Sequence, residues 1–247
     1  QKLYQTSHPI TKILHMKPIQ LILLALMTPV LLSAQSNWEI GLLLGGSNYQ
    51  GDLVETTLPT LKETNFAAGI QGRYYISSMW SVRSGAFYGK LSGSDANFKE
   101  DEYRNARSVS FESNFIEVSM AAEFEPLGED RYLSNAGNAS TISPYLFLGV
   151  GVTFTQPTVD MSEFNGDEEL LELINMDIQK SSSIVHLTIP MGFGLKLDVS
   201  EKVFLGMELG IRYPFSDYLD GISLAGNPDR NDLYMIGGFN VGYKLRK

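Results

Sequence analysis

Between Ser183 and Tyr213 the apolar residues fall on every second position. Val185, Leu187, Ile189, Met191, Phe193, Leu195 and Leu197 alternate with His186, Thr188, Pro190, Gly192, Gly194 and Lys196. After a polar turn at 198–202 the alternation resumes as Val203, Leu205, Met207, Leu209, Ile211 and Tyr213, interleaved with Phe204, Gly206, Glu208, Gly210 and Arg212. Successive side chains of a strand point to opposite faces, so one face is an apolar row and the other is small or charged. A strand in a soluble sandwich usually needs only ~5–6 residues. These runs are longer and match the ~9–11 residues with which a tilted strand crosses a bilayer. The apolar row is therefore expected to meet lipid, and the glycine- and charge-bearing row to line the inside of a closed barrel.

The same alternation predicts strands at 38–49, 66–76, 80–92, 108–125, 144–154 and 233–245, besides 185–197 and 203–213. The expected fold class is all-β: an eight-stranded antiparallel up-and-down transmembrane β-barrel with a plugged polar interior. An even number of strands closes without a free edge and puts both chain ends on one side, the periplasm in a bacterial outer membrane. On that topology 50–65, 93–107, 155–182 and 214–232 are the outer loops, and 77–79 and 198–202 are short periplasmic turns. The connection 126–143, rich in Gly, Asn and Ser, is long for the periplasmic side. Leu170, Leu171 and Ile174 recur at helical spacing, so 168–178 is expected to form a short amphipathic helix near the barrel mouth.

The inward row carries both signs of charge: Glu39, Arg73, Arg83, Glu117, Glu123, Lys196, Glu208, Arg212 and Lys244. The lumen of an eight-stranded barrel is only wide enough for side chains to fill, and charges inside it must be paired. A plugging salt-bridge network is the expectation, with a narrow pore as the competing one.

Upstream of the barrel, Met16, Lys17 and the apolar stretch 19–32, followed by Leu32-Ser33-Ala34, read as a secretory leader over 16–34. Residues 1–15 read as an upstream extension, and 35–247 as one barrel domain. Removing the leader region takes Lys2, Lys12 and Lys17 from 19 basic residues and nothing from 28 acidic ones, so the net charge goes from −9 to −12. That balance argues against nucleic acid as a partner. The absence of cysteine excludes disulfides, thiolate zinc sites and cysteine nucleophiles.

Two candidate chemistries remain. His186 lies two residues from Thr188 on the inward face, and Glu208 on the next strand is available as a third member of a hydrolase-like set, so the alternative function is a small outer-membrane barrel enzyme, hydrolase or acyltransferase, that modifies lipid A. The competing reading is a histidine hydrogen-bonded within the lumen. Asp160, Glu163, Asp167, Glu168, Glu169 and Glu172 in the third loop, with Asp217, Asp220, Asp229 and Asp232 in the fourth, offer hard oxygen ligands for Ca²⁺. They lack EF-hand spacing, so solvated charge is the expectation and no metal is assigned.

Several blocks go beyond a generic barrel. Trp38-Glu39-Ile40-Gly41 is followed by Gly45-Gly46-Ser47-Asn48-Tyr49-Gln50-Gly51-Asp52-Leu53. Later come Ser94-Asp95-Ala96-Asn97, Arg104-Asn105-Ala106-Arg107 and Ser143-Pro144-Tyr145, then Ile189-Pro190-Met191-Gly192 and Phe215-Ser216-Asp217-Tyr218-Leu219-Asp220-Gly221. In this order they resemble the Bacteroidetes outer-membrane barrel family called DUF6089, which includes the PorG-like component of the type IX secretion system. The resemblance implies a non-enzymatic barrel in the cell outer membrane, embedded in outer-membrane lipids. It would anchor periplasmic secretion-ring proteins, with no cofactor and no small-molecule substrate. The loop motif residues Gly51, Asp52, Asp95, Asn97, Arg104, Asn105, Asp217, Tyr218 and Asp220 are expected to serve turn chemistry, with direct partner contact as the competing reading. Arg104 or Arg107, paired with a loop carboxylate, would tie the outer loops together.

Overall fold

The computed structural model describes residues 37–54, 61–97, 101–128, 142–181 and 184–245, and in it every predicted alternation is a strand. The strands are β1 (Trp38–Gln50), β2 (Asn65–Tyr75), β3 (Trp80–Ser94), β4 (Ser110–Phe124), β5 (Ile142–Asp160), β6 (Ile184–Asp198), β7 (Val203–Pro214) and β8 (Leu233–Lys244). Each pairs antiparallel with its sequence neighbours, and β8 returns to β1 in the register Glu39↔Lys244 to Gln50↔Leu233, which closes the barrel. The leader at 16–34, the extension at 1–15 and residues 129–141 of the long periplasmic connection lie outside the described residues.

The barrel is inside out relative to a water-soluble core. Leu42, Val118, Leu148, Leu187 and Phe239 are each at least half exposed on its outside, while Arg73, Arg212 and Lys196 are fully buried within it. An outer surface with that much contiguous apolar area is stable only against lipid. Aromatic pairs mark one rim of the apolar band: Trp38 with Tyr74, ring centroids 5.1 Å apart, and Trp80 with Phe124 at 4.8 Å. Tyr213 and Phe215, 5.3 Å apart, stand at the other rim. Amphipathic rings at both borders form the girdles of an outer-membrane barrel, and the protein resides in the outer membrane. The connections after β1, β3, β5 and β7, all of them long, leave from the Tyr49 end, which is the outer end by the asymmetry common to such barrels.

Two differences from the sequence expectation stand out. β5 runs to Asp160 rather than to 154, and β3 to Ser94 rather than to 92. The ladder continues there through Ser94↔Ser110 and Ser110↔Asp160, but the outward residues Glu112, Asn114, Gln156 and Thr158 are polar. These strands rise above the lipid, so the apolar signal ends before the hydrogen bonding does. The second difference is a helix, α1 (Glu102–Arg107), within what the sequence reads as loop. Asp101 caps it by accepting from the Tyr103 and Arg104 amides. Its 6 residues are too few to show a period. The predicted helix at 168–178 is α2 (Glu168–Lys180), capped by Asp167 and buried through Leu170, Ile174 and Asp177.

Candidate functional site

The inward row fills the lumen from wall to wall. Because consecutive strands are neighbours, β2 faces β6 across the barrel, β3 faces β7 and β4 faces β8. At the periplasmic level Lys196 of β6 donates to Tyr75 Oη of β2 at 3.0 Å, to Glu125 at 2.9 Å and to Glu123. Arg73 donates to Glu123 at 3.0 Å, Glu39 at 2.9 Å and Gln71 at 2.7 Å. At mid-height Arg83 of β3 meets Glu208 of β7 at 2.6 Å, and the Tyr145 hydroxyl donates to the same carboxylate oxygen at 2.7 Å. Arg83 also lies over the Phe147 ring, 3.8 Å from its centroid. Above this, Tyr234 of β8 donates to Glu117 of β4 at 2.6 Å, and Arg212 donates to the same oxygen at 3.2 Å. Lys244 pairs with Asp198 at 2.6 Å at the periplasmic rim.

All nine charged residues singled out from the inward row are thus buried inside the barrel, although the sequence named none of their individual partners. The alternation places Tyr75, Tyr145 and Tyr234 inward, but only the packing shows that their hydroxyls bond charged groups of other strands. Arg73 and Arg83 stand directly opposite each other in the β2–β3 register, which is tolerable only because Glu123 and Glu208 reach them from other walls. Inward glycines make room for the rings: any side chain at Gly194 would strike Tyr145, and any at Gly242 would strike Phe204.

His186 is buried and pairs through Nε2 with the Thr155 hydroxyl at 2.9 Å. The Thr188 hydroxyl is 2.9 Å from Thr153 instead, and Glu208 is taken up by Arg83 and Tyr145. The three members of the hydrolase-like set are therefore not brought together.

The polar filling that plugs the lumen is not uniform along the barrel. From the level of Glu117 outward, apolar side chains join it, with Leu43, Phe87, Leu91, Phe111, Phe115 and Ile236 pointing in. This core continues into the outer loops through Leu53, Leu170, Ile174, Leu219, Ile222 and Ala225, so the loops form a packed cap that seals the mouth. Arg107 is its hub. It forks onto both oxygens of Asp95 at 2.8 Å and donates to Ala225 O at 2.6 Å and Asp52 O at 3.1 Å, joining the first, second and fourth loops. Asp177 of α2 fastens the fourth loop by accepting the amides of Ser223, Leu224 and Ala225 at 2.9–3.0 Å. Nothing in the local sequence distinguishes Asp177 from the acids around it.

The loop motif residues separate into two groups. Gly51, Asp95, Asp217 and Asp220 are buried in the cap. Asp52 accepts the Asn227 amide at 2.8 Å, and Tyr218 is half-buried with its hydroxyl 3.4 Å from Asp177. Asn97 is exposed and donates to Glu63 at 2.8 Å. Arg104 lies 3.5 Å from Asp101, and the Asn105 carbonyl accepts from Ser108 at 2.5 Å, so both serve the ends of α1.

The acidic outer loops correct the expectation of solvated charge in part. Glu163, Asp167, Glu168, Glu169, Glu172, Asp160 and Asp229 are outside the core, but Asp217, Asp220 and Asp232 are buried. Burial pushes the Asp217 carboxyl up to about 7, and raises Asp220 and Asp232 above the ordinary carboxylate range. Among the described residues, no group of three or more acidic, His or Cys side chains is arranged to hold a metal ion.

A family model described as "Domain of unknown function (DUF6089)" matches residues 17–246. No curated protein matches the chain. Among solved structures, a major outer membrane protein from Thermus thermophilus is 12% identical with a TM-score of 0.47, over 84% of this chain and 99% of that one. Neisserial surface protein A is 14% identical with a TM-score of 0.44, over 84% and 96%. Ail, the attachment invasion locus protein of Yersinia pestis, is 13% identical with a TM-score of 0.43, over 85% and 99%.

Proposed function

The chain belongs to the DUF6089 family, and on that premise we propose that it is a non-enzymatic, non-conducting barrel that anchors periplasmic ring proteins of a type IX secretion system to the outer membrane. The observation that carries the proposal is the filled lumen. Side chains from opposite walls meet at three heights through Lys196–Tyr75, Arg83–Glu208 and Tyr234–Glu117, and a packed apolar cap lies above them. An interior so occupied serves rigidity rather than passage. The dispersal of His186, Thr188 and Glu208 onto separate partners favours a structural over a catalytic role. The resemblance of the sequence blocks to PorG-like proteins supports secretion as the process. Contact with the ring then falls to the periplasmic turns and the connection that begins at Glu125, whose amide bonds the Met79 carbonyl at 2.8 Å.

The test is purification from outer membranes in mild detergent, with mass spectrometry of what accompanies the barrel. Stoichiometric recovery of periplasmic ring subunits, together with loss of secretion in a deletion strain, is the expected result. A lone barrel combined with intact secretion in the deletion strain rejects the proposal.

A further inference from the structure

Inside the cap, a single phenol stands between two acids. The Tyr49 hydroxyl oxygen lies 2.6 Å from Asp220 Oδ2 and 2.6 Å from Asp232 Oδ1, and it also accepts the Asp52 amide at 3.0 Å. A phenol oxygen has one hydrogen to give and two lone pairs. The Asp52 amide takes one lone pair, and the hydrogen serves one carboxyl. The contact with the other carboxyl then joins oxygen to oxygen, and needs a proton carried by that acid. The remaining carboxyl oxygens are occupied as acceptors: Asp220 Oδ1 by the Ile222 amide at 2.8 Å and Asp232 Oδ2 by the Leu219 amide at 2.9 Å. Both acids are shut off from solvent.

From this geometry we infer that Asp220, Tyr49 and Asp232 form a proton-operated clasp, which holds the fourth loop (215–232) on the barrel mouth while the two acids share one proton and weakens as that proton is lost. The charged surroundings do not remove the need for it. Asp52 from the first loop faces Asp220 with the same sign, and Asp217 from the fourth loop faces Asp232 likewise. From the second loop Arg107 is the cation facing Asp220, but its guanidinium is committed to Asp95. Asp177 of α2 is committed to three loop amides. Burial accordingly favours the protonated pair, which titrates as a unit.

When the loop opens, both acids meet water and ionise at ordinary carboxylate values. The closed state then holds one more proton than the open state, so the opening constant rises about tenfold per pH unit across the window where the pair is still protonated. Opening also uncovers Leu219, Ile222 and Ala225, which are fully buried in the closed cap. The outer face of the barrel would thus show its apolar loop according to the acidity outside the cell.

The experiment is amide hydrogen exchange on the full chain in lipid nanodiscs from pH 5 to 8, with intrinsic exchange rates divided out. The Leu219 and Ile222 amides report directly on the clasp. Because Asp217 also titrates in the cap, every protein carries Asp217→Asn. The expected result is an opening constant that climbs about tenfold per pH unit over part of this range. Adding Asp232→Asn flattens it, because an asparagine amide donates to Tyr49 at every pH while its oxygen still accepts Leu219. Asp220→Asn is the second variant and should do the same. A flat profile in the reference protein, or an unaltered slope in both variants, overturns the inference.

Discussion

Arg83 and Glu208, on diametrically opposed strands, meet at 2.6 Å in the middle of the lumen. The pair is buried inside the protein, so its value lies in mutual compensation rather than in net attraction. Breaking a buried pair by removing one partner costs about 3–5 kcal/mol, whereas replacing both with apolar groups is often close to neutral. Glu208→Gln is expected to lower stability by that amount, because Arg83 and the nearby Arg73 then lean on Glu123. The double change Arg83→Met with Glu208→Met should cost less than the single one. Denaturant unfolding in lipid vesicles, read by heat-modifiable gel mobility, compares the three; a double variant weaker than the single would reject the compensation argument.

The same cross-lumen contacts predict electrical silence. Planar-bilayer recordings of the native protein should show no steady ion current. Sustained discrete conductance would mean that the Lys196–Tyr75, Arg83–Glu208 and Tyr234–Glu117 contacts open together, and the filled-lumen reading would fall.

Gly51 sits where the first loop passes the Tyr49 hydroxyl and Asp232, and a Cβ there would overlap both. Gly51→Ala is therefore expected to loosen the cap, with a cost of about 1–3 kcal/mol typical of overpacking. Exchange at the Leu219 amide should rise while exchange in the periplasmic half of the strands stays unchanged. Equal loosening in both places would point to a general folding defect instead.

Arg107→Lys tests the hub of the cap. A single ammonium cannot fork onto Asp95 while also reaching Ala225 and Asp52, so charged hydrogen bonds worth about 1.5–3 kcal/mol each are lost. Limited proteolysis of outer-membrane vesicles should then cut the first, second and fourth loops together. Cutting of one loop alone would show that Arg107 does not couple them.

Asp217 makes its own contribution to pH dependence. Its carboxyl, raised from 3.8 to about 7 by burial, holds a proton in the closed cap that the opened loop releases. Its contribution to cap stability is fully present below about 4 and declines as pH rises towards about 7. Above that it is constant. Asp217→Asn should therefore make the cap's opening constant less steep with pH by one proton. An unchanged slope would mean that Asp217 is ionised in the closed cap.

The lumen was more legible than the cap. Strand alternation repeats every two residues, so the inward position of Glu39, Arg73, Glu117 or Lys196 follows from its neighbours in the chain. The identity of each partner does not, since Arg83 and Glu208 are 125 residues apart. In the outer loops only α2 shows a period, and α1 is too short to display one. Asp220 and Asp229 look alike along the chain, yet one is buried and the other exposed.

The barrel, its lipid-facing and inward faces, the helix α2 and the sidedness of the loops were all written in local stretches of the chain. Each depends on a short-range pattern that lipid or water reads directly. Which acids are buried, that Arg107 joins three loops, and that Tyr49 stands between two carboxyls emerged only when distant segments came together. Tyr49 lies 171 residues from Asp220 and 183 from Asp232, and such proximity is created by barrel closure between β1 and β8. Charge, burial and proton affinity in the cap are properties of that closure, which no window of the chain contains.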